Sequence, residues 1–136
     1  MIRFANPLVF ASDLSASTEF YRDLLGAKPI ETSETFVLFE GGLGLHDGTA
    51  LLESIYRDGP HEASAPWGRD NVAFYFESDD LDGDYARIAA AHPLVHALRR
   101  EPWGGRIFRL HDPDGHVVEI GEPVTDTPAS TSSTTL

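Results

Sequence analysis

The chain has no cysteine among its 136 residues. That removes disulfides, thiolate catalysis and Cys-ligated zinc from consideration. Lysine is almost absent as well, with Lys28 the sole example, and the remaining cations are arginines. Twenty-two acidic residues against ten basic ones give a formal charge of −12. A surface this acidic repels phosphate, and no basic stripe offsets it, so nucleic acid is not an expected partner. No apolar run approaches the roughly 20 residues needed to span a bilayer, so no membrane partner is expected either. Met1-Ile2-Arg3-Phe4 leads directly into strand-like sequence without a signal-peptide pattern, and the expected compartment is the cytoplasm.

What is present is a repeat. Gly42-Leu43-Gly44-Leu45-His46 and Gly115-His116-Val117-Val118-Glu119 each place a metal-capable side chain four residues after a glycine, in a short apolar strand. Upstream, each half has a strand opened by asparagine, Asn6-Pro7-Leu8-Val9-Phe10 and Asn71-Val72-Ala73-Phe74-Tyr75-Phe76. Internal duplication accounts for the pattern. A pseudo-twofold repeat would bring Asn6, His46, Asn71 and Glu119 toward one centre.

The remaining segments repeat too. Asp13 offers N-cap chemistry before a helix through residue 25, whose stripe is Phe20, Tyr21, Leu24 and Leu25. Gly26 is placed to end that helix in a left-handed conformation. Strands are expected at 4–11, 28–30, 36–40 and 43–46. In the second half, 71–77 reads as a strand and Asp79 or Asp80 caps a helix over 81–90. Strands follow near 94–98, 106–111 and 116–121. Asp112-Pro113-Asp114-Gly115 suits a type I turn. The fold class is therefore α+β: two tandem βαβββ modules, about 2–62 and 63–123, forming a cupped mixed sheet with the helices on its outer face. In the connector, Leu51, Leu52, Ile55 and Tyr56 suit one short helical face. The Ser/Thr-rich tail, 125–136, reads as disordered.

Alternation along the strands sorts the side chains into two faces. Val9, Val72, Phe74, Phe76, Leu43, Leu45, Val118 and Ile120 suit the surface beneath the helices. The other face holds Asn6, Phe10, His46, Tyr75 and Glu119, a partly polar hollow of the kind that binds small ligands. Glu119 reads as a ligand or general base, weighed against a plain surface carboxylate. His46 reads as a metal ligand or proton partner of Glu119, weighed against an isolated hydrogen-bonded histidine. Asn6 and Asn71 suit polar recognition, or simply strand opening. Phe10, Tyr75 and the loop residue Trp103 suit stacking on an aromatic ligand, against ordinary packing. Arg106 and Arg109 lie on opposite faces of one strand, so at most one enters the hollow.

Asp13-Leu14, Phe20-Tyr21, Leu24-Leu25-Gly26 and the run Asp112-Pro113-Asp114-Gly115-His116-Val117-Val118-Glu119-Ile120 resemble the vicinal oxygen chelate superfamily over residues 2 to about 122. That superfamily includes glyoxalase I, bleomycin-resistance proteins, fosfomycin-resistance enzymes and extradiol dioxygenases. The resemblance implies ligand positions at Asn6, His46, Asn71 and Glu119, and a homodimer. Metal-dependent members usually carry His or Gln where Asn6 and Asn71 stand, and often Glu where His46 stands. Only Glu119 matches directly. The expectation is a small-molecule-binding protein with no tightly held metal. The alternative is a metal-dependent lyase, isomerase or dioxygenase in which a divalent metal held by His46 and Glu119 acts with substrate oxygens.

Overall fold

Eight strands and three helices build the chain in the computed structural model, which describes residues 1–57 and 66–123. Strand β1 is Leu8–Ala11, β2 Pro29–Thr32, β3 Phe36–Phe39 and β4 Gly44–Asp47, giving a four-stranded sheet in the order β1-β4-β3-β2. Strand β5 is Ala73–Glu77, β6 His96–Arg100, β7 Arg106–His111 and β8 Val117–Gly121, ordered β5-β8-β7-β6. In each sheet the first strand pairs in parallel with the last, and the other pairings are antiparallel. The α+β fold is thus two βαβββ modules, as the repeat predicts. Each contributes its own sheet, and β1 and β5 are hydrogen-bonded on one side only.

Helix α1, Leu14–Glu19, begins where the Asp13 carboxylate accepts a bond from the Ala16 amide. It continues into a π-helical turn, Phe20–Leu24, in which the Leu25 amide reaches back to the Phe20 carbonyl. Such a turn inserts one residue into the helical repeat. Sequence periodicity does not reveal it. Gly26 follows at φ +81°, the left-handed conformation its position called for. Helix α3, Leu81–Ala91, is capped by Asp80 through the Gly83 amide. Helix α2, Gly48–Ile55, occupies part of the connector. It half-buries Leu51 and Leu52 but leaves Ile55 and Tyr56 exposed. Its first residue has no room for a side chain: a Cβ on Gly48 would lie 2.6 Å from Trp67 Nε1.

One hydrophobic core joins both modules, including Val9, Val37, Leu45, Phe108, Val118 and Ile120 with Phe20, Tyr21 and Ile88 from the helical segments. Of these, Val9, Leu45, Val118 and Ile120 are alternate strand positions assigned to the helix-covered face. Val72 departs from that assignment; it precedes β5 and is 49% exposed. His61 and the 125–136 tail lie outside the described residues. Among the described residues no helix is long and apolar enough to cross a membrane.

Candidate functional site

The strand faces turned away from the core carry the partly exposed side chains. On the second sheet, Arg109 and Glu119 stand directly opposite each other in the β7–β8 ladder. Arg109 Nε donates to Glu119 Oε1 at 2.9 Å, with both side chains about three-quarters buried. Arg109 Nη1 also meets His96 Nε2 at 3.0 Å. A guninidium only donates, so that nitrogen accepts, and His96 Nδ1 carries the proton given to the Ala97 carbonyl. Arg109 is therefore the arginine that shares a face with Glu119. Arg106 turns instead to Asp82 and Glu122. Those two carboxylates hydrogen-bond the Arg106 guanidinium, and each is held below the usual carboxylate range by it.

On the first sheet, His46 Nδ1 lies 2.9 Å from the Asp47 carbonyl, which leaves Nε2 as the ring's lone-pair nitrogen, and the ring sits beside Phe36. Asn6 Nδ2 donates to the adjacent Pro7 carbonyl and overhangs Gly44, where an added Cβ would lie 2.8 Å from that nitrogen.

Two cavities are lined jointly by residues of β5 and of β1 or its lead-in. The larger, about 630 Å³, is lined by Phe4–Pro7, Glu40–Leu43 and Ala73–Glu77. Asn6 and Tyr75 belong to it. The smaller, about 310 Å³, is an apolar groove lined by Pro7–Phe10, Trp67, Asn71, Val72, Phe74 and His116. Phe10 packs on Trp67 there, ring centroids 4.9 Å apart. Four of the five expected ligand-binding residues thus line one cavity or the other. The fifth, Trp103, lies in the turn between β6 and β7 and is 66% exposed. His46 and Glu119 are absent from both linings. Their strand partners do line the cavities: His46 stands opposite Phe10, and Glu119 opposite Tyr75. Among the described residues no group of three or more His, Asp or Glu side chains is arranged to hold a metal ion. One oxygen of Glu119 is given to Arg109, and Asn6 is turned to its own backbone.

A buried network went unread in the sequence. Asp112 Oδ1 accepts from the Asp114 and His116 amides, and Oδ2 accepts from Tyr21 Oη at 2.8 Å and His116 Nδ1 at 2.9 Å. Burial alone would raise the Asp112 carboxyl, but the His116 and Tyr21 bonds outweigh it and hold it below the usual carboxylate range. Burial, and then the Asp112 charge, push the Tyr21 hydroxyl far above its ordinary value. Asp114, itself buried, accepts from the Ser12 and Trp67 amides. The predicted turn is real, closed by Gly115 N to Asp112 O at 2.9 Å, with Gly115 at φ +86°. Its two acids fasten the modules together. The available signal was two acids flanking a proline beside a histidine; what each would reach across about a hundred residues was not readable.

No curated protein matches the chain. A structure described as a protein of unknown function from Agrobacterium tumefaciens str. C58 is 44% identical, with TM-score 0.84, covering 91% of this chain and 96% of its own. A lactoylglutathione lyase from Agrobacterium tumefaciens is 28% identical at TM-score 0.67, covering 88% and 92%. A glyoxalase/bleomycin resistance protein/dioxygenase from Nocardioides is 26% identical at TM-score 0.69, covering 93% and 87%. The model of the glyoxalase-like domain matches residues 4–125, and the chain belongs to that family, within the glyoxalase/bleomycin resistance/dioxygenase superfamily.

Proposed function

We propose that the protein binds a small, partly aromatic molecule in the seam between β1 and β5, without a resident catalytic metal. The observation that carries this reading is the pair of cavities lined by both modules, which contain Asn6, Phe10, Asn71 and Tyr75. Concave, mostly apolar spaces with a few polar groups are the usual form of ligand sites. The Arg109–Glu119 pair supports binding over proton transfer, because Arg109 Nε already occupies Oε1 of that carboxylate. A neutral aromatic probe, 2-methoxynaphthalene, tests the reading by fluorescence titration. Phe10→Ala should weaken binding about tenfold. Binding that ignores both Phe10→Ala and Tyr75→Ala would exclude the seam.

The second reading is a metal-dependent lyase, isomerase or dioxygenase with Glu119 and His46 in catalytic roles. Likeness to a lactoylglutathione lyase and the unpartnered His46 Nε2 favour it. Titration with Zn, Ni, Mn and Fe(II) separates the two. Stoichiometric submicromolar binding that is lost on His46→Ala would promote the enzyme.

We also propose a homodimer. Strands β2 and β6 end their sheets with open edges, and Ile30 and Val95 beside them are exposed. A monomer mass by light scattering at tens of micromolar would exclude it.

A further inference from the structure

His116 is the residue of the apolar groove with chemistry left over. Its Nδ1 is committed to Asp112, and an ionised carboxylate can only accept, so Nδ1 carries the proton. The ring is buried and packs 5.6 Å from Phe74. Nε2 has no partner among the described residues, although the ring lines the groove. In the neutral ring Asp112 thereby fixes both the orientation and the tautomer of the imidazole, presenting a lone pair at Nε2. The other polar side chains of the groove are Asn71 and Trp67. Asn71 makes no side-chain bond among the described residues. Trp67 Nε1 is buried against Gly48 without a partner. No arginine or lysine lines the groove, and two carboxylates, Asp112 and Asp114, lie buried behind it. That field disfavours an anion.

We propose that the groove takes a planar aromatic molecule bearing a neutral hydroxyl, a phenol or an enol. Its O–H donates to His116 Nε2, and its ring lies among Phe10, Trp67 and Phe74. The proposal rests on the reading of the seam as a ligand site and adds the chemical class to it. The rings supply apolar contact to any flat ligand, and they do not distinguish a hydroxyl from a methyl ether. His116 does, since a buried acceptor left unpaired disfavours the ether.

The test uses the whole protein and three probes: 2-naphthol, 2-methoxynaphthalene and naphthalene-2-sulfonate. The naphthol should bind about tenfold more tightly than the ether, the fold-change of one hydrogen bond. The sulfonate should bind more weakly than either. In ¹⁵N NMR the His116 Nε2 resonance should move on adding naphthol and stay in place with the ether. His116→Gln should narrow the preference, while Phe10→Ala should weaken naphthol and ether alike. If His116→Gln does not fold, the probe series and the Nε2 resonance in the wild type decide. Equal affinities for naphthol and ether, or an Nε2 resonance indifferent to naphthol, overturn the role of His116 and leave the seam reading standing. Binding of all three probes unchanged by Phe10→Ala overturns the groove as their site, and indifference to Tyr75→Ala as well overturns the seam itself. Preference for the sulfonate would show an anion site and refute the stated ligand class.

Discussion

Replacing Tyr21 by phenylalanine removes one oxygen atom and little else. Tyr21 is buried, and its ring packs against Phe20, Phe39 and Phe76. Phenylalanine keeps those contacts. What disappears is a 2.8 Å bond to the Asp112 carboxylate. A hydrogen bond to a charged group contributes about 1.5–3 kcal/mol. Tyr21 and Asp112 are both buried, so the full loss should appear in the unfolding free energy. Urea titration at pH 7 should therefore find the variant about 1.5–3 kcal/mol less stable. The difference should also depend on pH. The folded Asp112 carboxyl sits below its unfolded value of about 3.9. Its contribution is complete above that value and is lost as pH falls through the folded one. Tyr21 is one of the groups that lower it, so the variant has less to lose on acidification. The gap between wild type and Tyr21→Phe should narrow below about pH 4. A difference under about 0.5 kcal/mol at pH 7, or a gap that widens in acid, refutes the assigned network.

Ser17 Oγ is buried without a partner, so Ser17→Ala should be neutral or stabilising by up to about 1 kcal/mol in the same titration. A clear loss would reveal an unseen partner. Gly48→Ala should lower stability by about 1–3 kcal/mol, because its Cβ would strike the Trp67 indole, and a thermal melt reads the effect directly. A double-mutant cycle on Arg109 and Glu119 should give a coupling of about 1 kcal/mol, and coupling near zero would mean that the pair is solvent-screened.

The features written in local sequence were the ones that could be read. Asp13, Asp80 and Gly26 act on backbone a few residues away, and the structure uses them as caps and a left-handed residue. The two-residue alternation placed Val9, Leu45, Val118 and Ile120 in the core because a half-buried strand has no other pattern. Val72 was misplaced because the strand starts at Ala73, two residues later than residue 71, and alternation gives no boundary. Pairing register was out of reach, so the Arg109–Glu119 contact appeared only with the β7–β8 ladder. His116 does not stand out in the sequence, because its partner Asp112 lies four residues back in a turn whose side-chain bonds no pattern spells out. The two cavities depend on how one module sits beside the other, and no segment encodes that alone.

The Asp112–Gly115 turn reaches Tyr21 and Ser12 across separations of 91 and 102 residues. Closing a loop of about 100 residues costs on the order of 4 kcal/mol, more than one such bond returns. These bonds therefore do not drive the modules together; apolar burial must do that first. Their leverage lies in error rejection. A first module docked askew, or a foreign βαβββ unit lacking a hydroxyl and an amide at those two places, would leave Asp112 and Asp114 each one hydrogen bond short, a loss of about 1.5–3 kcal/mol apiece. Another copy of the same chain passes this inspection unaided, because it presents an identical Tyr21 and Ser12. The turn thus works as a proofreading contact. It bars mismatched halves while leaving exchange of modules between identical chains energetically open.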